Sequence, residues 1–162
     1  MRPRVTLKLA TSLDGRIATA SGESKWITGE AARLAGHRLR ASHDGILVGV
    51  ETVLVDDPEL TARLPGRPVD QPLRIVLDSR LRTPATAQIE QVEALEGRPA
   101  PAAVLATLHR RGIGALMIEG GGRVAASFIA AGLVDTLEWF RAPIMLGGDG
   151  RACVAGLALA KL

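Results

Sequence analysis

Short apolar runs recur along the chain, each stopped by polar turn residues and most followed by a segment with helical spacing. Val5, Leu7 and Leu9 alternate with Thr6 and Lys8, the period-two pattern of a strand with one face inward. Gly45 to Val50, Leu73 to Leu77, Ala115 to Ile118 and Asp135 to Ala142 are further runs of strand length. Helical patterns run from Thr28 or Gly29 to the stop at Ser42-His43-Asp44-Gly45, from Pro101 to Arg111, and from about Val124 to Ala131. Strands alternating with helices predict an α/β architecture: a parallel or mostly parallel central sheet with helices on both faces. Hydrophobic residues make up 47% of the chain but aromatic ones only 2%, with no Tyr, so the core rests on Val, Leu, Ile and Ala. That is the composition of a covered parallel sheet.

The 162 residues fit one domain with a substantial core. So few rings argue against a sequence-tolerant binder of single-stranded nucleic acid, which stacks bases on exposed aromatics. The isoelectric point near 9.7 stands beside a net charge of only +3. The basic residues are mostly arginines interleaved with Asp and Glu, which reads as a solvated surface with local anion sites. A phosphorylated small molecule accounts for it as well as nucleic acid does. The single cysteine, Cys153, excludes an internal disulfide and a cysteine-based zinc site, and reads as a small buried residue. No segment approaches the roughly 18 to 20 apolar residues of a membrane span. The N-terminus lacks a signal peptide's apolar region, so a cytoplasmic location is expected.

Several loops carry the chemistry. Ser12-Leu13-Asp14-Gly15-Arg16 has turn chemistry, and the following polar run ends at Trp26, which reads equally as a cover for a flat ligand or as a core ring. Polar residues from Glu51 to Pro58 gather after the Gly45–Val50 strand, at the sheet edge where open α/β folds bind ligands. Ser79 with Arg80 and Arg82, just past another strand, suits the 2′-phosphate of NADP or forms a solvated loop. Glu119-Gly120-Gly121-Gly122-Arg123 joins a strand to a helix, the recipe for a phosphate cradle: glycines let the backbone approach and first-turn N–H groups point at the anion. His37 and His43 fall near a helix end, where solvation is expected, and no carboxylate cluster suggests a metal. Residues 85–99 are poor in pattern, with Glu90, Glu93 and Glu96 at helical spacing.

The stretch K-L-A-T-S-L-D-G-R-I-A-T-A-S-G-E-S-K-W-I-T resembles the opening of the pyrimidine reductase domain of bacterial riboflavin biosynthesis, which has a dihydrofolate-reductase-like fold. H-R-L-R, T-V-L-V-D-D-P-E-L-T-A-R, V-L-D-S-R-L-R-T-P, E-G-G-G-R-V-A-A-S-F-I-A-A-G-L-V-D and A-P-I-M-L-G-G-D-G-R follow in the family's order. The resemblance implies one reductase domain over 1–162, without some family segments near 85–99 and after 162. It implies NADPH-dependent reduction of 5-amino-6-(5-phosphoribosylamino)uracil, with hydride going to C1′ of the ribosyl group.

Carried over, the family's substrate contacts fall on Ser24, Arg40, Leu60, Arg63 and Glu119, with Ser24, Arg40 and Arg63 as a phosphate clamp. The cofactor contacts fall on Ala10, Trp26, Thr52, Asp56, Ser79 and the loop and helix start Gly121, Gly122, Arg123, Val124, Ala125, Ala126 and Ser127. Lys8 and Glu119 are the candidates to polarise or protonate the opening sugar. Otherwise Lys8 is a solvent-facing strand residue and Glu119 orders the glycine loop. In the family a zinc deaminase is often fused ahead of the reductase. One cysteine cannot supply that domain's P-C-x-x-C, so a stand-alone or separated reductase is expected. A homodimer is expected from the family. The rivals are a reductase of another pterin or pyrimidine and a non-catalytic nucleotide-binding module.

Overall fold

A computed structural model describes residues 1–89, 92–95 and 99–160, the last strand residues before 96 by their backbone. In chain order it holds β1 (Arg4–Thr11), β2 (Arg16–Ala18), α1 (Glu30–Ala41), β3 (Gly45–Gly49), α2 (Val50–Asp56), β4 (Leu73–Leu77), β5 (Val92–Leu95), α3 (Pro101–Arg110), β6 (Ala115–Glu119), α4 (Gly122–Ala130), β7 (Thr136–Arg141) and β8 (Arg151–Ala152). The central sheet is six-stranded in the order β5-β4-β3-β6-β1-β7, and β2 pairs with β8 in a separate antiparallel ribbon. All neighbours in the central sheet run parallel, as the strand-helix alternation predicts.

Alternate residues of the inner strands feed two cores. Leu47, Ile75, Leu116 and Ile118 join Val5, Leu7 and Leu9 on one face, where α3 adds Val104, Leu105 and Leu108 and α4 adds Ala125 and Phe128. Ile46, Val48, Val76 and Met117 point the other way, to Val50 and Val53 of α2, to Leu60, and to Leu39 of α1. The helices thus divide between the two faces. With almost no aromatic residues, both layers are filled mainly by branched aliphatics.

The strand pattern of β1 is corrected in one respect. Thr6 is 3% exposed, so this strand is covered on both faces, as expected between β6 and β7 in a parallel sheet. Val50 begins a helix instead of ending a strand: Gly49 is its extended N-cap, and the polar run 51–56 folds as α2. The helix expected from about Val124 starts at Gly122. Where residues 85–99 suggested helical glutamates, Val92–Leu95 is a strand paired with β4; Glu90 and Glu96 lie outside the described residues. His43 is not a solvated helix end: it is buried, with Nδ1 2.7 Å from the Leu39 carbonyl and Nε2 2.9 Å from Thr6 Oγ1.

Asp44, just past α1, aligns the start of β6 by accepting N–H bonds from Gly114 and Ala115, both at 2.8 Å. Asp135 does the same for β1, accepting from Val5 N at 2.7 Å while paired with Arg2. Phe128 is 0% exposed and is the largest fully buried side chain. Phe128→Ala is expected to lose about 3–5 kcal/mol of stability, read as a lower urea midpoint with unchanged slope.

Candidate functional site

The topology makes a crevice before any side chain is considered. From β3 the chain enters α2 on one face of the sheet, and from the adjacent strand β6 it enters α4 on the other. Neighbouring strands whose connections leave in opposite directions open a cleft at their C-terminal ends, the place where open α/β sheets hold ligands. The two helix starts touch across this point. A side chain at Gly49 would meet Val124 at 3.0 Å, and one at Gly120 would meet Thr52 at 3.1 Å. Gly120 and Gly121 have φ of +90° and +87°, so the turn into α4 needs glycine for its conformation as well as for space.

Beside this turn lies an ionic cluster. Lys8 and Glu119 are register partners on β1 and β6, which places their side chains next to each other. Lys8 Nζ lies 3.0 Å from Glu119 Oε1. From α1, Arg40 donates through Nε to Glu119 Oε2 at 2.8 Å and through Nη2 to Oε1 at 2.9 Å. The three side chains are 14–17% exposed. Gly36 lies beside the lysine stem, where a Cβ would stand in ordinary contact, 3.9 Å from Lys8 Cε. Burial by itself would push the Glu119 carboxyl up; the charges of Lys8 and Arg40 and their hydrogen bonds overcome it and bring it down to about 2. Glu119 is therefore ionised at neutral pH, and the cluster carries a net positive charge.

Arg40 Nη1 donates to the Thr61 carbonyl at 3.0 Å, and Arg63 Nη1 donates to Thr61 Oγ1 at 2.8 Å and pairs with Glu59. Thr61 thus links the two arginines of the expected clamp. The fork of Arg40 grips Glu119, while Arg63 is exposed. Ser24 lies elsewhere in the contact network, with Oγ 3.5 Å from Asp56 Oδ1. Leu60 is 3% exposed and packs in the core with its backbone at φ +53°, so it offers little surface to a ligand.

Among the expected cofactor residues, Thr52 lies against Gly120 and Gly121, and Ala10 is near the C-terminal end of β1. Asp56 ends α2. Trp26 is 71% exposed with Arg33 stacked 4.7 Å from its ring centroid, so the core reading of this ring fails. Ser79 follows Asp78, which is buried and accepts from Thr83 N and Oγ1 at 2.7 and 2.8 Å, shaping that loop. Of its two arginines, Arg82 pairs with Glu51 at 2.6 Å. In α4, Ala125 and Ala126 are buried, Val124 packs on the core, and Arg123 and Ser127 face outward. At Gly122 a side chain would fall 2.7 Å from the Ala152 carbonyl, so β8 and the residues just after it pack against one side of this start. Among the described residues no group of His, Cys, Asp and Glu could hold a metal ion. No described helix is long and apolar enough to cross a membrane.

The sequence signalled the S-L-D-G turn but not its partner. Asp14 accepts from Ser12 Oγ at 2.6 Å and from the N–H groups of Leu146 and Gly147 at 3.1 and 2.8 Å. The Ser12 hydroxyl, then the Leu146 N–H, holds its carboxyl down at about 2. The glycine-rich turn after β7 is thereby fastened to the loop after β1. His37 was likewise missed as a contact: its Nδ1 meets the 61–63 loop.

The model of the family described as the RibD C-terminal domain matches residues 3–162. The chain belongs to the RibD C-terminal domain family. Among RibD-family relatives, the Bacillus amyloliquefaciens riboflavin biosynthesis protein RibD is 41% identical over 90% of this chain and 47% of its own length. The 2,5-diamino-6-ribosylamino-4(3H)-pyrimidinone 5′-phosphate reductase of Methanothermobacter thermautotrophicus is 39% identical over 96% of this chain and 85% of its own. The structure of Acinetobacter baumannii RibD (form 2) superposes with a TM-score of 0.88 at 36% identity, over 96% of this chain and 50% of that one. This RibD-family chain thus spans about half the length of the RibD proteins it matches. Dihydrofolate reductase of Enterococcus faecalis shares the fold at a TM-score of 0.59 and 19% identity, over 92% of this chain and 76% of that one, which bears out the dihydrofolate-reductase-like α/β architecture.

The depressed carboxyl of Glu119 makes stability depend on pH. Its folded value lies below the unfolded one, so its contribution is complete above about 4.5 and is lost as pH falls through about 2. That contribution is on the order of 3 kcal/mol. Glu119→Gln is expected to lower the urea midpoint at pH 7, and the gap from wild type should narrow as pH falls from 4.5 towards 2.

Proposed function

We propose that this chain is one reductase domain over 1–162 that reduces 5-amino-6-(5-phosphoribosylamino)uracil to its ribitylamino product with NADPH, in riboflavin biosynthesis in the cytoplasm. The observation that carries the reading is the 39% identity to a pyrimidinone phosphate reductase across 85% of that relative's length. That relative's name also gives a second reading: the substrate is the corresponding 2,5-diaminopyrimidinone 5′-phosphate.

The residues fit a dinucleotide phosphate at the start of α4. Gly120 and Gly121 form a cradle that a Cβ would fill, the nine-residue helix turns its N-terminal N–H groups to the anion, and Thr52 lines the same turn. Ala10, Trp26, Asp56 and Ser79 would hold the remainder of the cofactor. NADPH, when bound, supplies the hydride for C1′.

The chain's own residues do the rest. Opening the ribosylamine makes an imine and gives its ring oxygen a proton; reduction at C1′ then needs a proton on the amine nitrogen. Ionised Glu119 has no proton to give, so it holds Lys8 and Arg40, and the Lys8 ammonium is the group that donates. The excess positive charge of the cluster draws in the phosphate ester, and exposed Arg63 grips it beside Arg40. Positioning supplies most of the rate, because the acid-base demand is small. A deaminase, fused or separate, is the proposed source of the uracil substrate, and two copies of the chain the proposed assembly.

NADPH oxidation with each of the two pyrimidine phosphates, in wild type and Arg63→Ala, tests the reading. Turnover with the uracil compound and a KM raised roughly tenfold or more in the variant is expected. NADPH binding without turnover of either pyrimidine would overturn it.

A further inference from the structure

We propose that His37 is the positioning residue of the Arg63 loop and holds that loop in place while its ring is neutral. The inference deepens the reading above, in which Arg63 grips the substrate phosphate.

The loop is held from two sides. On one side Gln71 pins its middle residue, its Oε1 accepting from Ala62 N and its Nε2 donating to Ala62 O, both at 2.9 Å. On the other side stands His37, half-buried on α1 one turn before Arg40. Its Nδ1 lies 3.3 Å from the Arg63 N and 3.1 Å from the Thr61 carbonyl. One nitrogen cannot serve both, since the first requires an acceptor and the second a donor. The Thr61 carbonyl already receives Arg40 Nη1 at 3.0 Å. With Nδ1 bare, His37 accepts from Arg63 N, Arg40 keeps Thr61, and each group has its partner. With Nδ1 protonated, His37 donates to the second lone pair of the Thr61 carbonyl beside Arg40 and leaves the Arg63 N–H without its acceptor.

The charges that face the ring are Arg40 on its own helix, Arg63 on the loop and Glu119 on β6. Burial first, then the two arginines, push the imidazole below its ordinary value, against the Thr61 carbonyl and Glu119, which pull it up. The neutral ring is therefore the resting form at pH 7, and acidification sets a third cation between two arginines. The helix that carries Arg40 and the loop that carries Arg63 are tied by one titratable atom.

Two measurements test this. Long-range 1H–15N spectra of the histidine rings in the wild-type chain, without substrate, read the tautomer. A bare Nδ1 on His37 at pH 7 is expected, and a protonated Nδ1 would overturn the inference whatever the enzyme's substrate is. Steady-state kinetics with the uracil substrate then compare wild type, His37→Ala and His37→Asn from pH 5 to 8. The Asn carboxamide oxygen takes the place of Nδ1 as an acceptor and does not titrate. His37→Ala should raise KM about three- to tenfold at pH 7 with kcat nearly unchanged. His37→Asn should restore KM and remove the rise that wild type shows on acidification beyond that of the substrate's own phosphate. KM unchanged in His37→Ala, or the same acid limb in His37→Asn as in wild type, would overturn it. Absent turnover in wild type would instead count against the reductase reading, and the spectra would still decide the role of His37.

Discussion

A carboxylate held between two cations under a helix organises the site. Glu119 ends β6, Lys8 lies beside it on β1, and Arg40 reaches down from α1. Desolvating three charges costs several kcal/mol per ion, and the attraction repays it only where the hydrogen bonds are good. Here the Arg40 fork is bidentate and Lys8 occupies the same carboxylate, so the cluster ties β1, β6 and α1 together. Removing the carboxylate would leave two like charges facing each other, with the Thr61 carbonyl still accepting from Arg40. The excess positive charge stands at the C-terminal edge of the sheet, next to the cleft.

The cleft follows from the direction of the connections and needs only small residues to stay open. Gly49, Gly120 and Gly121 lie where α2 and α4 part, and a methyl group at the first two would press on Val124 or Thr52. The loops around the cleft are tied by hydrogen bonds. Asp14 ties the turn at 146–147, Asp78 shapes the Ser79 loop, and Gln71 and His37 hold the loop of Arg63. Carboxylates and amides that accept or donate to backbone groups do this work, which is why acidic residues sit in a site built for an anion.

Much of the fold was legible because aliphatic periodicity is local. The runs at Val5, Gly45, Leu73, Ala115 and Asp135 became β1, β3, β4, β6 and β7 in a parallel sheet, and Pro101 opened α3 as its position suggested. The failures have physical causes. Val50 looked like the last residue of a strand because it is as apolar and buried as the run before it, whereas the helix it opens buries only Val50 and Val53. β5 was invisible because three glutamates masked a strand of four residues. His43 was read as solvated because its partners, Thr6 and Leu39, are set by tertiary packing.

The site was legible as a set of residue types and much less as a geometry. Glu119 and Lys8 were marked together, and the structure joins them; Ser24, Arg40 and Arg63 were marked as a clamp, yet Arg40 grips Glu119 and Ser24 lies by Asp56. No spacing in the sequence says which partner a fork will choose, since the choice is made between strands and a helix 79 residues apart. The chemistry of the site therefore depends on the charge state of Glu119. A pH titration of its side-chain carboxyl by 13C NMR, assigned by its loss in Glu119→Gln, measures this directly. An ionised carboxylate throughout pH 4 to 8, with the transition at about 2, is expected. A transition between pH 5 and 7 would mean that Glu119 carries a proton under working conditions, and it would contradict the assignment of Lys8 as the donor.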